Sequence, residues 1–166
     1  MPYQQFQFPP QSLSCLETNR PAQASIDLGT IITPVLCYDD TTEEYGNGVL
    51  EVPDTLDTAG TVTFRVVCSP KTGASSKNVG WTFGHRPVNT AEAIDGSYTD
   101  EDSGAIAITA TTGQQTIMEW TETVANLGWV AGDVVYFRLS RDPSVTDDLT
   151  GDCYFVRLAV DVPITA

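Results

Sequence analysis

Apolar and polar residues alternate with period two along most of the chain, the signature of strands with one covered face and one wet face. In TVTFRVVCS, Val62, Phe64, Val66 and Cys68 fall on one side. VGWTFGHR puts Val79, Trp81, Phe83 and His85 in phase, with Gly80, Thr82 and Gly84 opposite. Near the C-terminal end Val135, Phe137 and Leu139 share a face, and Tyr154, Val156, Leu158, Val160 and Val162 share the next. The opposite face of that pair carries Arg138, Arg157 and Asp161. AIAITAT and QQTIMEWTET read as two strands around Thr112-Gly113, and Val49 to Val52 as a short one. ASIDLGTIITPVLCY, broken by Gly29 and Pro34, is either two short strands or an edge strand. A single short helix is expected near Glu122 to Leu127. Seven or eight such strands with turns at sandwich spacing predict an all-β domain over residues 25–166, a β-sandwich of jelly-roll type.

Residues 1–24 break the pattern. They hold Pro2, Pro9, Pro10 and Pro21, five Gln, and the spaced aromatics Tyr3, Phe6 and Phe8. Prolines at this density favour an extended, polyproline-like course. The segment reads either as a disordered tail or as an extended N-terminal arm, with Tyr3, Phe6 and Phe8 as partner-binding residues on a neighbouring subunit. An arm of about 24 extended residues reaches up to roughly 80 Å. Deletion of residues 1–20 is expected to leave a folded sandwich.

Composition narrows the partners. Eight Lys and Arg face 22 Asp and Glu, a formal charge of −14. Such a surface repels phosphate backbones and anionic membranes, so neither nucleic acid nor membrane is expected as a partner. The start lacks a basic segment followed by an apolar run, and no stretch approaches the roughly 18 apolar residues of a membrane span. These features lead to the expectation of a soluble protein made in the cytoplasm. Cys15, Cys37, Cys68 and Cys153 are scattered without a Cys-x-x-Cys pair and are expected as free thiols.

Candidate chemistry is sparse. His85 is the one histidine and is in phase with core residues, which argues against multi-histidine metal centres and a Ser-His-Asp arrangement. No Gly-rich phosphate loop is present. The acids sit in loops rather than facing each other across a cleft, as glycoside hydrolysis would require. No catalytic residue, cofactor or metal is therefore expected. Calcium is the alternative for DEDSG at 100–104 and DDLTGD at 147–152, where hard oxygen ligands adjoin a turn glycine. Between the last two apolar runs, Asp142-Pro143 closes one strand and Thr150-Gly151-Asp152 turns into the next. Arg141 can pair there with a loop acid, a contact worth little if exposed. Asp147→Asn together with Asp152→Asn is expected to leave function intact.

VPDTLDTAGTVTFRVV, VGWTFGHRPV, AIDGSYT and GDVVYFRLSRDPS…DDLTGDCYFVRLAVDVP together resemble a group of tailed-phage virion β-sandwich proteins, across Val49 to Pro163. With its acidic surface and extended arm, the chain is similar to capsid decoration, or cement, proteins. That resemblance implies a structural, non-enzymatic protein on the capsid exterior, partnered by the major capsid protein and by itself as a homotrimer. The alternative is a phage tail, fibre or baseplate sandwich that binds host-surface carbohydrate, with Trp120 and Trp129 as the available aromatics.

Overall fold

Alternation along each segment becomes antiparallel pairing between segments far apart in the chain. A computed structural model describes residues 2–15, 18–27, 32–72, 77–141 and 147–166. Its strands are β1 (Tyr3–Phe8), β2 (Ala22–Asp27), β3 (Ile32–Tyr38), β4 (Tyr45–Glu51), β5 (Thr61–Pro70) and β6 (Asn78–Val79). They continue with β7 (Trp81–Val88), β8 (Thr99–Asp102), β9 (Ile106–Ala107), β10 (Thr116–Thr123), β11 (Val134–Arg141) and β12 (Cys153–Pro163). A 3-10 turn spans Pro10–Ser12, and helix α1 spans Val124–Leu127. Thr123 caps that helix by accepting from the Asn126 N–H at 3.1 Å, and Gly128 ends it at φ 64°.

Two sheets pack face to face as a β-sandwich. The first has the order β10-β5-β12-β3-β2, with β1 also pairing β12; the second has the order β4-β11-β7-β8. A separate pair joins β6 to β9. Val62, Phe64, Val66 and Cys68 point from β5 into the core, and Phe83, Val135, Phe137 and Leu139 meet them from the other sheet. Rings carry the contact: Phe64 lies 4.6 Å from Phe83, and Phe83 lies 5.1 Å from Phe137, centroid to centroid. Gly48 pairs with Phe137 on β11, and a Cβ there would overlap the Phe137 ring. Glycine is what lets that ring lie flat over β4.

Several expectations are corrected. The segment expected as an arm is extended but pairs with the domain's own sheet, from Tyr3↔Pro163 to Phe8↔Leu158. Phe8 is buried 4.8 Å from the Phe137 ring, and Leu13 joins the same core. The prolines bracket the strand instead of preventing it. The last two apolar runs belong to different sheets, so the chain between them crosses the sandwich. A register shift between Phe155 and Arg157 changes the phase of β12. Phe155, Leu158, Val160 and Val162 are buried, while Tyr154 and Val156 are only half-buried. AIAITAT contributes just the two-residue β9, and the expected Val49–Val52 strand begins earlier, at Tyr45. Gly29, Asp142 and Pro143 lie outside the described residues.

Candidate functional site

The outer face of the β4-β11-β7-β8 sheet gathers polar and aromatic side chains into one patch. Inward positions on β11 are Val135, Phe137 and Leu139, so Tyr136 and Arg138 face out. Register sets Asn47, Arg138, Gly84 and Asp100 side by side across four strands. Gly84 leaves a gap in this row. A Cβ there would lie 2.5 Å from Asp100 Oδ1 and 2.6 Å from Arg138 Nε. Across that gap Arg138 Nη2 donates to both Asp100 oxygens at 3.0 Å.

Two tyrosines hold the same guanidinium. Arg138 lies 4.9 Å from the Tyr45 ring centroid and 5.1 Å from that of Tyr98. Tyr136 stands in the next row, between Val49 and Arg86. Tyr45, Tyr98, Tyr136 and Arg138 are all half-buried, open to a ligand yet backed by protein. Arg86 fixes the loop that delivers Tyr98, donating to the Ala93 carbonyl at 3.0 Å and the Ser97 carbonyl at 3.5 Å. At the rim Ser140 donates to Glu43 at 3.2 Å, and Thr82 donates to Asp102 at 2.6 Å. Burial, followed by the Glu43 carboxylate, pushes the Tyr45 phenol up to about 12. It therefore stays a neutral hydroxyl at ordinary pH. The patch offers aromatic surface, an oriented cation and fixed acceptors.

The residues singled out from sequence are placed elsewhere. Phe8 belongs to the core, Phe6 packs partly against it, and Tyr3 remains 49% exposed on the far sheet. Trp120 and Trp129 are both core residues. His85 is 2% exposed and accepts from Trp129 Nε1 at Nδ1, 3.3 Å away. The remaining nitrogen, Nε2, has no hydrogen-bond partner among the described residues and lies 3.6 Å from Glu101. Burial pushes the imidazole down to about 4, so it is neutral near pH 7.

The acids of the two proposed calcium loops are distributed among protein partners. Asp100 and Asp102 belong to the patch above, while Asp148 accepts from the Asn78 N–H at 2.6 Å. Asp147 is bound to Arg141, and both side chains are 1% exposed, so this contact is a buried pair and not a solvated one. Asp39, Asp40 and Asp152 do converge, with ligand atoms within 4.8 Å of one another. Asp39 there closes a turn onto Thr41 and Thr42, Asp40 accepts from the Gly151 N–H, and Asp152 pairs with Lys71 at 2.6 Å. All four cysteines are free thiols. Hydrogen bonding adds to burial at Cys37, whose thiol is pushed up to about 12 beside Asp152.

Sequence reading had assigned Arg138 to the wet face but had not joined it to Tyr45, Tyr98 or Asp100. Those three lie in acidic, turn-rich segments without alternation, and only non-local register brings them together.

No family model and no curated protein sequence matches the chain. Solved structures do. The CBM22-1 xylan-binding domain of Paenibacillus barcinonensis Xyn10C is similar with a TM-score of 0.51 at 9% identity, over 94% of this chain and 88% of that one. The CBM22-1–GH10 modules of Clostridium thermocellum xylanase 10B, complexed with xylohexaose, are similar with a TM-score of 0.52 at 12% identity. That match covers 99% of this chain but 28% of the longer one. At such identity the likeness is one of fold: the chain is an all-β sandwich shared with carbohydrate-binding modules. No helix among the described residues is long and apolar enough to cross a membrane.

Proposed function

We propose that the protein is a non-catalytic binding domain for glycans, which it engages on the outer face of the β4-β11-β7-β8 sheet. One observation carries this reading: Arg138 held between Tyr45 and Tyr98 and tied to Asp100, with Tyr136 alongside. Pyranose rings present C–H faces that pack on aromatic surface and hydroxyl edges that need oriented donors and acceptors. Tyr136 supplies aromatic surface. Arg138 uses Nη2 on Asp100, which fixes its plane and leaves its other N–H groups to donate to hydroxyls. The fold shared with xylan-binding modules supports the class, and the resemblance to virion sandwiches supports a phage tail or baseplate that reads host-surface sugar.

A glycan array with immobilised plant, bacterial and algal polysaccharides tests the reading. Binding to at least one neutral polysaccharide is expected, weakened tenfold or more by Tyr136→Ala and by Arg138→Ala. Absence of binding across the array, or binding indifferent to both substitutions, overturns it.

Capsid decoration on a major capsid protein, as a homotrimer, is the second reading, supported by the same resemblance. It must use a docking surface other than Phe8, which is committed to the core. Co-sedimentation with undecorated capsids tests it directly.

A further inference from the structure

A sheet edge exposes unpaired N–H and C=O groups, and proteins guard such edges with charge. The strands that end the two sheets carry carboxylates within the strand itself. Asp27 lies on β2, Glu51 on β4, Asp100, Glu101 and Asp102 on β8, and Glu119 and Glu122 on β10. β1 differs from all of them. Among the described strands it pairs with β12 alone, and YQQFQF contains no charged residue. Antiparallel pairing on one side leaves alternate backbone groups pointing away from β12. Tyr3, Gln4, Gln5 and Gln7 are exposed residues, and Pro2 and Pro9 flank the strand without interrupting it.

β1 is also held in place. Gln5 Nε2 donates to Asp161 Oδ1 at 2.7 Å, and Phe8 is anchored in the core. The strand is therefore presented ready to pair, so little ordering entropy is lost on association. Charge then selects the occupant. Two copies with a formal charge of −14 repel across most of their surfaces, and β1 itself adds no charge to the Glu51 and Asp54 that lie beside Gln4 and Phe6. We infer that the free edge of β1 is a self-association surface, on which two copies pair β1 with β1 antiparallel about a two-fold axis. Such a contact is self-complementary and closes at two chains. Gln7 Nε2 donates to Gln5 Oε1 at 2.6 Å within the chain, so the pairing bonds come from the backbone groups of the edge.

Sedimentation equilibrium of the full chain over a range of concentrations tests this, alongside the Tyr3→Glu/Gln7→Glu double variant. Both positions alternate with the inward Phe6 and Phe8, so the core contacts of β1 are kept, and a thermal melt checks that the variant folds. A two-chain species is expected, strengthened by added salt, which screens the repulsion between the bodies. The two added acids per chain are expected to raise its dissociation constant tenfold or more. Hydrogen exchange of wild-type β1 amides supplies a reading independent of the variant, and protection rising with protein concentration is expected. A single-chain mass at every concentration overturns the inference. So does a three-chain species, or a two-chain species without concentration-dependent protection of β1.

Discussion

Arg138 and Arg141 stand three residues apart on β11, and each is bound to an aspartate. Their positions in the alternation differ: Arg141 continues the inward series Val135, Phe137 and Leu139, whereas Arg138 faces out. The side chains of Arg141 and Asp147 are 1% exposed, and the arginine uses all five of its N–H donors. Two go to Asp147, at 2.6 and 2.8 Å, and the others reach the carbonyls of Tyr38, Leu149 and Gly151. Burial by itself lowers the Arg141 pKa, but the hydrogen bonds and charge of Asp147 more than offset this, and the net shift is upward. This pair organises the crossing between the sheets. Asp100 is 44% exposed, and Arg138 gives it a single nitrogen. Full satisfaction makes the first arginine structural, and partial satisfaction leaves the second free to bind.

The sharpest way to break this comparison is Asp147→Asn. It leaves a guanidinium buried without its countercharge, which costs about 3–5 kcal/mol. Chemical denaturation should show a loss of that size, more than an exposed contact would contribute. Replacing both partners with apolar residues, as in Arg141→Met/Asp147→Leu, should cost less than Asp147→Asn alone, because no unpaired charge remains. Equal or greater loss in the double variant would show that the carbonyl contacts of Arg141, and not the ion pair, hold the crossing.

His85 shows what burial does to an ionisable group without such a partner. Its pKa is pushed down to about 4 from 6.5, so the unfolded chain binds the proton more tightly. The resulting stability is fully present above pH 6.5 and is lost as pH falls toward 4. At ~1.4 kcal/mol per unit the loss is about 3 kcal/mol. Glu101, which faces His85, acts in the opposite direction: burial, then Glu122, Asp102 and Asp100, raise its pKa, and its proton binds more readily in the folded state. Comparing wild type with His85→Gln between pH 7 and 4 isolates the histidine. The variant should lose less stability over this window, and parallel curves would contradict the assignment.

Arg65 grades the series. It bridges Asp161 and Glu119 on the outer face of the other sheet, where the Asp161 side chain is 11% exposed and also accepts from Gln5. Asp161→Asn should cost about 1–2 kcal/mol, between the two extremes, since the loss of a charged acceptor is partly relieved by solvent. Urea denaturation would place it.

Much of this was legible in the sequence, and the limits have physical causes. Alternation at Val62–Cys68 and Val135–Leu139 located core strands because side chains on a strand have period two. Arg141 continues that same phase, so its inward direction was available, whereas the expectation went no further than a pairing with a loop acid. The bulge in β12 inserts a residue without a composition cue. β1 was obscured because only Phe6 and Phe8 mark its inner face, and its stability comes from pairing with residues some 150 positions away. The patch around Arg138 depends on register between four strands, which alternation within each strand does not specify.

The smallest stability effect is expected at Arg138–Asp100, where the functional effect should be largest. An exposed ion pair contributes about 0.2–1 kcal/mol, so Asp100→Asn should barely move the unfolding midpoint. Gly84→Ala tests the same pair from beneath. Its Cβ would meet Asp100 at Oδ1 and Arg138 at both Nε and Cγ, so both side chains must swing aside. Swinging aside parts the guanidinium from its carboxylate and from the tyrosine rings that orient it. Both variants should therefore melt within about 1 kcal/mol of wild type, while glycan binding, read by affinity electrophoresis, falls several-fold or more. If both leave binding unchanged while Tyr136→Ala abolishes it, the arginine is a passive neighbour and the tyrosine surface alone reads the sugar. If either destabilises as strongly as Asp147→Asn, the contrast between the two arginines fails, and the outer pair is as structural as the inner one.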